Sequence, residues 1–144
     1  MLPGWAVEWD EELTLLDRLF NEPAQGNPET RTLRRIWGER LESRGWNRQL
    51  MIAESKMSIP HYRGPFGLCV QTGNVCRLHS DFLKLQTLYI QGQIRAGIVA
   101  VPSDSWSKKL GSNHAGFSKA LSDLESLRAT LTIPMRLIEI RAES

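Results

Sequence analysis

The segment that decides the fold is Phe66-Gly-Leu-Cys-Val-Gln71, followed after a short turn by a helical run and then by Ala96-Gly-Ile-Val-Ala-Val101. Both short runs are apolar and bounded by glycine or proline, which is typical of buried strands. Between them, apolar side chains recur at helical spacing from Val75 to about Gln91, at Leu78, Phe82, Leu85, Leu88 and Tyr89. A strand, a helix and a strand in this order favour parallel pairing, so the segment predicts an α/β sheet.

The flanking sequence extends this unit in both directions. Upstream, apolar spacing predicts a helix from about Asp10, a second helix over residues 28–44, and one extended segment over residues 46–59 that Pro60 ends. Downstream, we expect a polar loop over residues 103–113, a helix over 116–130 and a last strand over 135–141. The predicted order is α-α-β-β-α-β-α-β, a mixed central sheet flanked by helices. We expect a single domain over residues 1–144, with a helical part over 1–45 and an α/β core over 46–144.

The composition is that of an ordinary globular protein with little net charge. Of the 144 residues, 41% are hydrophobic and 24% are charged, and 18 basic against 16 acidic residues give a net charge of +2. This excess is too small to identify a nucleic-acid-binding protein by itself. Neither a membrane helix nor a signal peptide is evident, and two cysteines fit a reducing compartment. We therefore expect a cytoplasmic protein without a membrane partner.

Four motifs together resemble the core of the BglII-type (BamHI/BglII-like) type II restriction endonucleases. They are Cys69-Val-Gln-Thr-Gly-Asn74, Ala96-Gly-Ile-Val-Ala-Val-Pro102, the Gly-Ser-Asn113 loop and Ile133-Pro-Met-Arg-Leu-Ile138, and the resemblance covers residues 59–140. It implies a restriction-endonuclease-like (PD-(D/E)xK) core with a mixed sheet. Members of this family cut duplex DNA with Mg²⁺ and act as dimers, so the resemblance also implies a DNA partner and raises a homodimer as an option.

The catalytic carboxylates of that family are missing from this sequence. The family pattern is Glu-Val-Gln followed shortly by Asn, with an Asp on the preceding strand or turn, and the carboxylates hold the metal ion. Gln71 and Asn74 match the pattern, whereas Cys69 stands at the Glu position and the Asp position falls near Pro60. No Asp or Glu occurs between Glu54 and Asp81. We therefore assign no catalytic residue and predict neither a metal site nor a cofactor.

The preferred interpretation is a non-catalytic member of the family that binds duplex DNA or a DNA-handling protein, as a decoy, inhibitor or regulator. The predicted binding face is formed by Arg63, Gln71, Asn74, Arg77, Lys108, Lys109, Ser112 and Asn113. An equally open interpretation is that Gln71 and Asn74 satisfy backbone groups and cap the following helix. Similarly, Lys108, Lys109 and Asn113 are also consistent with an ordinary solvated loop.

Three further alternatives remain open from the sequence. An active Mg²⁺-dependent endonuclease would need a substitute carboxylate, for which Glu54 is the candidate. A protein–protein inhibitor module of a mobile element would use no DNA face at all. Zinc ligation by Cys69, Cys76, His61 and His79 matches no standard spacing, and free thiols with surface histidines are the simpler interpretation. Of the five tryptophans, Trp106 is the one that we expect to face a partner.

Overall fold

The computed structural model of the protein describes residues 3–26 and 29–141, with side chains from Trp9 onward. The helices are α1 (Pro3–Asn21), α2 (Thr30–Ser43), α3 (Val75–Ile90), α4 (Asp104–Leu110) and α5 (Phe117–Ser126). The strands are β1 (Asn47–Met51), β2 (Ser58–Arg63), β3 (Phe66–Val70), β4 (Ala96–Pro102) and β5 (Met135–Ile140).

The five strands form one mixed sheet in the order β1-β2-β3-β4-β5. The β1–β2 and β2–β3 pairs are antiparallel, and the β3–β4 and β4–β5 pairs are parallel. Helix α3 connects β3 to β4, and α4 and α5 connect β4 to β5. The predicted α/β class with a mixed sheet between helices is therefore confirmed. The division into parts at residue 45 stays a prediction.

Two apolar cores lie on opposite faces of this sheet. On one face, Leu16, Phe20 and Trp37 of α1 and α2 pack against Leu68 and alternate residues of β4. On the other face, α3 and α5 cover the residues of β3 and β4 that point the opposite way. All seven residues of β4 are buried, which explains why its sequence is continuously apolar rather than alternating. No helix in the described part of the chain is long and apolar enough to cross a bilayer.

The prediction of one extended segment over residues 46–59 is wrong, because the chain forms a hairpin there. Strand β1 ends at Met51, and a turn then reverses the chain before β2 begins. In this turn the Ile52 N–H donates to the Met57 carbonyl (2.9 Å). Pro60 lies inside β2 rather than ending a strand. The β1–β2 pairing is regular on both sides of Pro60, at Arg48 with His61 and at Leu50 with Ile59. Gln49, which lies opposite Pro60 between these two pairs, has a φ of 58°. A local irregularity of this kind accommodates a proline that has no N–H to donate.

The prediction of a polar loop over residues 103–113 is also wrong, because α4 occupies most of it. The Ser103 hydroxyl caps this helix by accepting from the Trp106 N–H (3.3 Å). Trp106 is half-buried and packs edge-on against Trp37 with 6.3 Å between ring centroids, so it contacts the core, and its contact with a partner stays a prediction. The other helix limits moved by a few residues: α1 starts at Pro3, and α5 ends at Ser126. Pro28, the predicted start of the second helix, lies outside the described residues.

Candidate functional site

The site predicted from the sequence lies at the edge of the sheet where the parallel strands β3 and β4 end, called here the carboxyl edge. The turn after β3 is fixed to the neighbouring segments by backbone hydrogen bonds. The Gln71 N–H donates to Ala100 (2.9 Å), Val75 to Asn113 (3.1 Å) and Ala115 to Gly73 (3.0 Å). Two segments remote in sequence, residues 71–75 and 113–115, thereby form one surface.

Gln71 is buried, and both polar atoms of its side chain form hydrogen bonds inside the protein. Its Nε2 donates to Asp81 Oδ2 (2.7 Å), and its Oε1 accepts from the Gly73 N–H (2.7 Å). Burial raises the pKa of Asp81, while the hydrogen bond from Gln71 and the charges of Lys84 and Arg34 oppose this shift. The oxygen and one amide proton of Gln71 are therefore held inside the protein, in agreement with its structural interpretation, and a DNA-facing role for Gln71 stays a prediction.

Asn74 caps α3, as one of the two interpretations from the sequence proposed. Its Oδ1 accepts from the Arg77 N–H (3.0 Å), and its backbone forms an isolated bridge with His114. Arg77, Ser112 and Asn113 are exposed beside it. These four residues are brought together at the carboxyl edge, and their role in binding stays a prediction.

The two lysines of the predicted face belong to a helix and not to a loop. Lys108 and Lys109 are exposed in the last turn of α4, immediately before the segment that carries Ser112 and Asn113. Basic side chains are favoured at a helix carboxyl end because they complement its dipole. Their position continues the basic surface of Arg77, while their role in binding stays a prediction.

Arg63 lies at the opposite edge of the sheet, so its placement on this face is wrong. It is the last residue of β2 and pairs with Phe66, the first residue of β3. Because a strand rises about 3.3 Å per residue, this position is roughly 16 Å from Gln71. Its guanidinium forms an ion pair with Glu12, a carboxylate of α1 that is only 6% exposed. Arg63 compensates this buried charge, which the sequence did not reveal because the partner is 51 residues away.

The two positions at which the family carries metal-binding carboxylates have different surroundings here. Cys69 is 1% exposed among apolar residues of the α3 side, including Ile59 and Phe82. Burial raises the pKa of its thiol well above the usual value, and the neighbouring Asp81 adds to the shift. Pro60 is exposed on β2. A carboxylate at position 69 would therefore be buried among these side chains and would lie near Asp81.

The structure does not assemble a set of metal ligands from the proposed substitutes. Glu54 is exposed in the turn between β1 and β2, with a φ of 60°. His79 contacts Asp123 (2.7 Å) on α5, and both Cys69 and Cys76 are free. Within residues 3–26 and 29–141, no group of three or more His, Cys, Asp or Glu side chains could hold a metal ion.

Two residues at the carboxyl edge were missed by the sequence analysis. Arg34 of α2 donates from Nε to Thr72 Oγ1 (3.0 Å) and from Nη2 to the Val70 carbonyl (3.3 Å). Asp81 of α3 is the carboxylate that meets Gln71. The sequence contained a signal that Asp81 is buried. Asp81 follows Leu78 by three positions and precedes Leu85 by four, so it lies on the apolar face of the helix. A similar signal was available for Arg34, because it precedes Trp37 by three positions and Leu41 by seven and so lies on the buried face of α2, unlike Arg35.

The comparisons with known proteins agree with this architecture. The family model described as restriction endonuclease BglII/BglIII matches residues 7–140. The chain belongs to this family. The fold of this family member is similar to the crystal structure of restriction endonuclease BglII complexed with a DNA 16-mer, with a TM-score of 0.68 and 13% sequence identity. The match covers 81% of this chain and 56% of the BglII chain. No curated protein sequence matched the chain.

At this level of identity, the structural match defines the fold of this BglII/BglIII family member and leaves its activity open. The restriction-endonuclease-like fold and the family resemblance are both confirmed. Because the chain spans only 56% of the BglII chain, a property of the whole endonuclease does not transfer automatically.

Proposed function

We propose that this chain is a restriction-endonuclease-like domain that binds duplex DNA at its carboxyl edge and does not cut it. The observation that carries the proposal is the buried, apolar packing of Cys69 at the position where the family has a metal-binding Glu. DNA enters the proposal because the BglII structure that matches this fold contains a DNA 16-mer.

The chemistry of the carboxyl edge supports binding without hydrolysis. Metal-dependent cleavage needs carboxylate oxygens that hold the cation and position its water. Asp81 is the carboxylate that approaches Gln71, and it is hydrogen-bonded to that amide with Arg34 and Lys84 nearby. A single carboxylate beside two cationic groups repels Mg²⁺ more than it attracts it. Hydrolysis would therefore lack the metal ion that would stabilise charge on the phosphate and activate the attacking water.

The exposed basic residues of the same edge support contact with the phosphate backbone. Arg77, Lys108 and Lys109 are all exposed, and Arg34 emerges next to Thr72. Lys and Arg side chains neutralise phosphates and release counterions, which makes such binding strongly dependent on salt. The proposed domain would hold a duplex in this way, as a decoy, inhibitor or regulator.

The proposal is tested by adding the protein to supercoiled plasmid and to a labelled duplex, with and without Mg²⁺ or Mn²⁺. Retardation of the duplex without nicking of the plasmid is expected, and the retardation should weaken steeply with added NaCl. Metal-dependent nicking would overturn the claim that the domain does not cut. If neither effect occurs, DNA binding is refuted and a DNA-handling protein becomes the partner to seek. Sedimentation of the same samples tests the homodimer, which stays a prediction.

Two variants locate any nicking that is observed. Asp81→Asn removes the carboxylate that the structure brings to Gln71, and Glu54→Gln removes the exposed carboxylate that the sequence suggested. Loss of nicking in Glu54→Gln alone would establish the rearranged-endonuclease alternative. Loss in Asp81→Asn alone would instead assign the metal to the buried carboxylate.

A further inference from the structure

Two guanidinium groups from different helices meet at the turn that follows β3. Arg34 of α2 is anchored to this turn through Thr72 Oγ1 (3.0 Å) and the Val70 carbonyl (3.3 Å). Arg77 of α3 folds back over the same turn: a Cβ built on Gly73 would lie 3.3 Å from Arg77 Cδ and 3.6 Å from its Nη1. The two side chains therefore both lie against residues of this one turn.

Neither guanidinium is directly paired with a carboxylate of the protein. Among the described residues, neither Arg34 nor Arg77 forms an ion pair. The pKa of Arg34 is lowered mainly by burial; the charge of Asp81 raises it, and the charge of Arg77 lowers it by less than Asp81 raises it. Two like charges held near each other in a partly buried place repel, and an anion between them would relieve that repulsion.

We propose that Arg34 and Arg77 form an anion-binding pair that holds one phosphate group over Gly73. The proposal rests on the DNA-binding function and deepens it, because the anion would be one phosphodiester of the duplex backbone. Arg34 uses Nε and one proton of Nη2 on the protein, so its Nη1 and the other Nη2 proton remain to donate. The guanidinium fork matches the geometry of phosphate oxygens.

The glycine in this turn leaves room for the side chains of Gln71 and Arg77. A Cβ at Gly73 would lie 2.6 Å from Gln71 Oε1, which accepts the Gly73 N–H, so a side chain would displace that amide as well as Arg77. Glycine is the residue that permits a backbone to approach a ligand closely. The turn is in addition held rigid by Gln71 and Asp81, which gives both guanidiniums a fixed base.

The first measurement is the affinity for labelled duplex DNA by fluorescence anisotropy over a series of NaCl concentrations. The variants are Arg34→Gln, Arg77→Gln and their combination, and the control is Arg128→Gln. Arg128 has the same charge, lies just after α5 on the opposite edge of the sheet, and within the described part of the chain is ion-paired with its neighbour Glu125 (3.6 Å). Arg77 is exposed, so its variant tests the pair even if replacing Arg34 destabilises the fold.

Loss of one phosphate contact should lower the salt dependence by a definite amount. For duplex DNA, the slope of log K against log salt changes by about 0.9 per neutralised phosphate. Because the two arginines share one phosphate, the double variant should lose about one unit of slope rather than two. Its affinity at moderate salt should fall about tenfold, while the control keeps both its slope and its affinity. Unchanged slope and affinity in the double variant would overturn the anion-binding pair while leaving DNA binding intact.

The second measurement uses inorganic phosphate as the probe and separates the two proposals. Thermal unfolding is compared in phosphate and in chloride at equal ionic strength, and the wild type should gain stability in phosphate while the double variant does not. If the wild type binds no DNA but shows this gain, the DNA-binding function fails and the pair is a site for a free phosphate group. If phosphate has no specific effect and no DNA binds, both proposals are refuted.

Discussion

Restoring the family's carboxylate by the substitution Cys69→Glu should destabilise the protein in a pH-dependent way. Cys69 is 1% exposed and packs among Ile59, Leu78 and Phe82. A carboxyl group introduced there loses its hydration and lies next to Asp81, whose charge already raises the pKa of the thiol. Both effects favour the protonated acid, so we expect the new group to stay neutral in the folded protein.

The magnitude follows from the proton that the folded state must retain. A glutamate has a pKa of about 4.3 in an unfolded chain, and buried examples reach about 8 to 9. At about 1.36 kcal/mol per pH unit, keeping the proton costs about 4 kcal/mol at pH 7.5 and about 1 kcal/mol at pH 5. Because the folded pKa is raised, the variant is most stable below pH 4 and loses stability as the pH rises. The loss between pH 5 and 7.5 should be about 3 kcal/mol.

The assay is urea unfolding of Cys69→Glu at both pH values, with Cys69→Gln as the matched control. The two side chains have nearly the same volume, so their steric cost cancels and their difference isolates the ionisable group. Addition of Mg²⁺ should not stabilise the glutamate variant. Equal stability of the two variants at pH 7.5, or stabilisation of Cys69→Glu by Mg²⁺, would refute the claim that packing has replaced the metal position.

Three smaller predictions concern hydrogen bonds and burial near the sheet. Asn74→Ala removes the cap on α3 and should cost about 1 kcal/mol in urea unfolding, whereas Asn74→Asp should retain most of it. Asp81→Leu leaves Gln71 Nε2 without its acceptor and should lower the free energy of unfolding by about 1 to 3 kcal/mol. Adding Gln71→Leu should recover part of that loss, and strictly additive losses in the double variant would contradict the coupling of the two residues. Burial lowers the pKa of His61 from 6.5 to about 4, so stability should fall by up to about 2 kcal/mol from pH 7.5 to 5, and a His61→Phe variant that retains this fall would contradict the assignment.

The secondary structure was predictable where the periodicity was long and uninterrupted. Helix α3 and strand β4 were located within a residue or two, because a regular apolar stripe or a continuous apolar run has few alternative explanations. The β1–β2 hairpin was missed because a proline inside a strand looks like a terminator in the sequence. Helix α4 was missed because its seven residues are mostly polar, and its Trp106 finds its apolar partner, Trp37, on a distant helix.

The sequence by itself indicated the family and the α/β class, and its resemblance to that family predicted that Cys69 and a position near Pro60 stand where carboxylates are expected, since these inferences depend on residue identity and local order. Only the tertiary structure decided which side chains surround these positions. It placed Asp81 against Gln71, brought Arg34 to Thr72, and moved Arg63 to the far edge beside Glu12. These contacts join residues 10, 38 and 51 positions apart, and such pairings depend on how helices dock on a twisted sheet. Docking is set by packing across the whole core, which no local pattern of residues encodes.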